Sequence, residues 1–151
     1  MQARGESVNA DLMGAVVAHV IFISSIAVFA ARMAFGVGQG HWIGVPLLLM
    51  AAPLTYLLIR APQAHRPPLY YVQVGLMLGW IVLIFILDYL LALDWRSAQW
   101  STVAVVTLYF AALGGMIGVS ALAGPRWTTS AVILFFVALI LAFVQRRVTG
   151  L

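Results

Sequence analysis

Apolar residues in this chain come in long, nearly unbroken runs. They lack the alternate or three-to-four-residue spacing of a half-buried strand or helix. Crossing the hydrocarbon core of a bilayer takes about 20 apolar residues in helical form. Five runs read as spans, at residues 12–34, 43–59, 70–92, 101–123 and 128–145. Polar residues, glycine and proline gather in the short connections. "FGVGQGHW" is glycine-rich, "RAPQAHRPPLYY" is proline-rich and is predicted to lie along the interface, and "DWRSAQW" and "GPRW" read as tight turns. Trp95, Trp100 and Trp127 flank those turns, as rings at headgroup depth do. Backbone groups inside hydrocarbon must bond to one another. The pattern therefore predicts an all-α, polytopic integral membrane protein: a compact bundle of five transmembrane helices forming one membrane domain over residues 1–151.

Composition agrees. Hydrophobic residues make up 64% of the chain and charged ones 8%, against roughly 45–50% and about 25% in soluble domains. All eight basic residues are arginine. They stand at the ends of apolar runs, where they read as interface anchors, so nucleic acid is not an expected partner. The absence of cysteine removes disulfides, thiolate catalysis and cysteine metal sites. No nucleophile–base pair, phosphate loop or metal-ligand cluster appears, so no enzyme, metal or cofactor is expected. The first run is longer than a signal-peptide core and lacks a clean cleavage site, which predicts a retained span.

With the N-terminal side called A and the opposite side B, Arg4, Arg60, Arg66 and Arg126 fall on A, and Arg32, Arg96, Arg146 and Arg147 on B. The even split leaves orientation open. If Arg32 is neutralised inside the bundle, side A leads, which favours a cytoplasmic N-terminus in a bacterial-type plasma (inner) membrane. The Arg146-Arg147 pair argues the other way, and a balanced count also suits an antiparallel homodimer.

Helices in lipid associate through close backbone approach and interhelical hydrogen bonds. Gly114 and Gly118 stand in GxxxG register, Gly75 and Gly79 repeat that spacing, and the first span offers Gly14, Ala18 and Ser25. These predict a tight centre made of spans one, three and four, or alternatively a dimer interface. In the second span Pro53 sits mid-membrane, which predicts a kink there and a freed carbonyl near Leu49. A broken helix of this kind also marks binding sites in transporters.

Asp88 is an acid within the third apolar run. Helical rise places it about 6 Å inside the B boundary, near the depth of Arg32. Each charge alone costs about 2.5–3.5 kcal/mol at a helix centre and less near the interface. An ion pair of the two is one reading; a protonatable site in a transport pathway, beside Trp80 and Tyr89, is the other. Gln73 stands about 60° around the helix from Asp88 and about 22 Å along it. With Met77, Trp80 and Ile84 it outlines one inward face, suited to a lipid-like cavity or to plain core. His19 is the only histidine within a span. A structural hydrogen bond is its expected role, with Thr55, Tyr56 or Tyr109 as partner. Arg60, His65, Arg66, Tyr70 and Tyr71 gather in one loop and are candidates for lipid-headgroup contact or for interface anchoring.

Two functions fit. One is a non-catalytic accessory or scaffold subunit that packs against partner helices and membrane lipids. The alternative is a small ligand- or lipid-binding protein or transporter, alone or as a dimer, with Asp88 as a protonatable site.

Overall fold

The computed structural model describes residues 2–36, 44–91 and 98–149, with side chains for 9–36, 44–91 and 98–148. The Asp94-Trp95-Arg96 turn, His41 and the side chains of Arg4 and Glu6 lie outside the described residues. The helices are α1 (Gln2–Phe35), α2 (Val45–Leu49), α3 (Ala51–Arg60), α4 (Pro68–Ile84), α5 (Gln99–Ala121) and α6 (Pro125–Thr149). A π-helical segment, Phe85–Leu90, continues α4. Four apolar stretches are long enough to cross a membrane: Asn9–Phe35, Pro68–Leu90, Gln99–Ala121 and Pro125–Val148. Val45–Arg60 supplies a shorter fifth. The protein is an all-helical integral membrane bundle.

Local chemistry sets the helix ends. Pro68 and Pro125 open α4 and α6, where a missing N–H costs nothing and the fixed φ suits a helix. Gly36 and Gly124 take positive φ, 83° and 119°, just past α1 and in the turn between α5 and α6. After α3 a short turn leads into α4. It closes at once: Arg66 N–H donates to the Ala61 carbonyl and His65 N–H to that of Pro62. His65 holds the left-handed position (φ 48°) that glycine usually fills.

The second span breaks at Met50, three residues before Pro53. A proline ring collides with the carbonyl four residues back, here Leu49. The helix therefore restarts at Ala51, and Pro53 falls in its first turn, where no intrahelical donor is needed. The bend expected at Pro53 is thus displaced by the reach of its own ring. Val45–Arg60 rises only about 24 Å.

Each span packs on the next, and α6 closes on α1, so the five form a ring in chain order; α1 and α5 also meet across it. The expected centre of spans one, three and four is corrected, because α4 does not pack closely on α1. The glycines explain why. A Cβ added at Gly75, Gly79 or Gly114 would meet nothing within 4 Å, so those three make no close approach. At Gly14 a Cβ would stand 3.0 Å from Val119 Cγ1, and at Gly115 and Gly118 it would run into Gln73. The close contacts are therefore α1 on α5 and α5 on α4.

A candidate ligand cavity in the B-side half of the bundle

Toward side A the helices close around Phe22, Leu57, Met77, Leu113 and Met116, all buried. Toward side B they separate around a cavity of about 430 Å³, lined by residues of all five spans. That volume lies within the roughly 300–1,000 Å³ of small-molecule sites.

The cavity is layered. Arg32 of α1, Asp88 and Tyr89 of the π-helical segment, Thr102 of α5, and Gln145 and Arg146 of α6 line its B end. Tyr89 lies close enough to Arg32 and Asp88 to feel both charges. A middle band is apolar, with Val28, Leu47, Ile84, Val105 and Ala142 among its walls. Helical rise puts the inner end about 10–12 Å deeper, at Ser25, Trp80 and Tyr109.

At that inner end the Trp80 and Tyr109 rings lie 4.7 Å apart, and Phe29 meets Tyr109 edge-on at 6.0 Å. Ser25 Oγ donates to the Ile21 carbonyl at 2.8 Å and stands close to the Tyr109 hydroxyl. Trp80 is only 8% exposed, yet its indole N–H has no hydrogen-bond partner. An unsatisfied buried donor costs about 1–3 kcal/mol.

The π-helical segment shapes the B end. Leu91 N–H reaches back five residues to the Ile86 carbonyl at 2.9 Å. Widening a helix by one residue per turn shifts the side chains beyond it, and such segments recur at functional sites. Asp88 and Tyr89 are on it.

Three of the residues singled out from sequence, Arg32, Trp80 and Asp88, meet on this cavity. Gln73 does not join them. It shares the Trp80 face of α4, but at its level Gly115 and Gly118 draw α5 close and leave no open volume. Pro53 is also outside the cavity lining. His19 faces α6: its Nε2 is 2.6 Å from Ser130 Oγ and its Nδ1 is 2.8 Å from the Ala15 carbonyl. Its partner is Ser130 instead of Thr55, Tyr56 or Tyr109, because the parallel α1–α6 contact was not foreseen. Trp127 meets the imidazole edge-on at 4.9 Å.

The loop candidates divide. Arg60, Arg66 and Tyr70, with Asn9 and Tyr56, line a second cavity of about 370 Å³ on side A. Arg66 forms an ion pair with Asp11 and lies over the Tyr70 ring at 5.2 Å, while Arg60 donates to Gln63 Oε1 at 2.8 Å. His65 and Tyr71 do not line that cavity.

Sequence reasoning missed Ser25, Tyr109, Gln145 and Arg146 as cavity residues. Gln145 and Arg146 stand where a span was expected to end, and an interface anchor looks the same in sequence as a cavity rim. Among the described residues no group of three His, Cys, Asp or Glu is placed to hold a metal. Comparison with protein-family models, curated proteins and solved structures finds no match to this chain.

Proposed function

We propose that this protein binds a membrane-soluble amphiphile in the B-side cavity, as a non-catalytic carrier or receptor. The observation that carries this is the cavity of about 430 Å³ that all five spans build, with charged and polar side chains at its B end and apolar walls beyond them. The charged groups at the B end supply a polar anchor, and the middle band supplies apolar contact.

Native mass spectrometry after mild extraction tests it. A small molecule is expected to stay bound to the protein and to be lost in Ala142→Trp, which fills the cavity from α6, with helicity unchanged by circular dichroism. Retention that survives Ala142→Trp overturns the proposal.

A second reading, the accessory subunit, draws support from α6. Only 11% of its most apolar stretch is buried, against 44% for α1, so the last span has room for a partner helix. Stoichiometric foreign polypeptides and no small molecule in the same spectra favour that role.

A plasma-membrane location with a cytoplasmic N-terminus is part of the proposal. Arg32 on the cavity wall is the position that leaves side A with more interface arginines. With no native cysteine, single cysteines placed at the two ends and tested with an impermeant maleimide decide it.

A further inference from the structure

We infer that the occupant of the B-side cavity is the alkyl tail of a lipid in the B-side leaflet, which enters sideways through a slot between α5 and α6 while its head stays at the B surface. This rests on the cavity being a binding site and goes further, to the chemistry of the occupant and its route.

Depth sets the kind of occupant. Ser25, Trp80 and Tyr109, at the inner end, each stand ten residues from the B-side end of their apolar stretch, at Phe35, Leu90 and Gln99. Ten residues of helix rise about 15 Å, which is half of a hydrocarbon core roughly 30 Å thick. At the other end Arg32, Asp88, Thr102 and Arg146 stand two or three residues from the B-side ends. The cavity therefore runs from the B surface to the midplane, the depth of one leaflet. An extended alkyl chain advances about 1.25 Å per carbon, given C–C bonds of roughly 1.5 Å, so about twelve carbons cover that depth.

Exposure sets the route. Among the described lining residues, the exposed ones are Val103, Val106 and Thr107 of α5 and Phe143 and Arg146 of α6. The other spans contribute only buried or half-buried residues. A residue that lines the cavity and also faces outward marks an opening, and these mark the seam between α5 and α6. That seam is joined on side A by the turn at Gly124 and is still closed at the midplane, where Phe110 meets Phe135 edge-on at 6.2 Å. The slot runs from there toward side B. By helical rise from Gln99, Val103 and Val106 lie about 6–10 Å inside the hydrocarbon, so the slot faces lipid tails and not water.

The slot is edged mainly by apolar side chains, Val103, Val106, Leu139, Ala142 and Phe143 among them. A tail gains no hydrophobic free energy by leaving lipid for such walls. It gains dispersion contact with atoms that lack a neighbour on their cavity side, and a flexible chain lying parallel to the helices collects most of it.

The test uses the full chain in nanodiscs doped with phosphatidylcholine that carries a photoreactive diazirine at about carbon 4 or about carbon 12 of one tail. Mass spectrometry of peptides locates the label after illumination. The deep probe is expected on Val105 and Tyr109, which line the cavity and are buried from outside; the shallow probe is expected near Val103. Val106→Trp fills the slot from an exposed position and should abolish the deep labelling. Ile133→Trp, exposed on α6 and outside the cavity lining, should leave it unchanged. A free fatty acid with the same diazirine separates the sources: labelling by phosphatidylcholine identifies a membrane phospholipid, labelling by the free acid alone identifies a free fatty acid, and both support an alkyl tail.

Deep label confined to outward residues such as Ile133 and Ile140 overturns the inference, as does labelling of Tyr109 by a photoreactive sterol in place of the alkyl probes. Deep labelling that survives Val106→Trp overturns the slot. If native mass spectrometry then still shows a small molecule that Ala142→Trp displaces, the cavity reading stands without this occupant. If it shows none, both fail together.

Discussion

The side chain of Gln73, on α4, lies across Gly118, on α5: a Cβ placed on that glycine would stand 2.1 Å from Gln73 Nε2. The glycine is needed there because the amide occupies the space its side chain would take. Gly118→Ala should therefore cost about 1–3 kcal/mol, the range for overpacking. In Gln73→Ala the same change should cost little, so the two are strongly coupled in a double-mutant cycle. Gly79→Ala and Gly114→Ala meet open space and should be neutral or slightly stabilising. Thermal unfolding in detergent ranks all of them, and additive effects at 73 and 118 would contradict the contact.

His19 and Ser130 join α1 to α6. The Ala15 carbonyl can only accept, so Nδ1 carries the proton facing it. In the neutral ring Nε2 then accepts from the Ser130 hydroxyl, which gives up its alternative bonds to the Arg126 and Trp127 carbonyls. Nitrogen-15 NMR should report the Nδ1–H tautomer. The coupling energy from a cycle of His19→Ala and Ser130→Ala should be near the average of about 0.6 kcal/mol for such bonds in membranes, and no more than about 1.7 kcal/mol.

Asp11 and Arg66 form the ion pair of side A, with side chains 20% and 10% exposed. Such shielding places the pair between surface bridges and buried ones. Arg66→Gln should destabilise by about 1–3 kcal/mol, with little dependence on salt. Exchanging the two charges should recover part of that loss, but not all. Arg66 also lies over the Tyr70 ring, and an aspartate there does not. Unfolding midpoints at low and high salt check both statements.

Ser120 is fully buried, and its hydroxyl has no hydrogen-bond partner. Replacing an unsatisfied buried hydroxyl by hydrogen removes a penalty and leaves only a very small void. Ser120→Ala should stabilise the protein by about 1 kcal/mol. A clear loss of stability would mean that the hydroxyl is in use.

The helices were legible because run length alone identifies a span. Which face of each span turns inward was not. In lipid a helix is apolar all round, so the periodicity that points a soluble helix toward its core is missing. That is why Gly75, Gly79 and Gly114 looked equivalent to Gly118, although only Gly118 has a neighbour. Depth is easier to read than direction. Counting residues from the span ends was enough to place Arg32 and Asp88 at one level, and both line one cavity. Phe85–Leu90 shows the opposite limit: nothing in the residues FILDYL distinguishes a five-residue hydrogen-bond reach from a four-residue one.

A ring of five helices that cross the membrane in turn cannot alternate in direction all the way round. Four of its seams run antiparallel, each bridged by a connection. The fifth, α1 against α6, pairs two helices pointing the same way: His19 meets Ser130, and further along, Ser25 and Arg32 share a cavity with Leu139 and Arg146. At that seam the helix dipoles oppose association, and no loop holds the partners together. Only side chains hold it shut. The barrel of helices is thus a strip rolled up and fastened along one edge by one of its most extensive helix contacts.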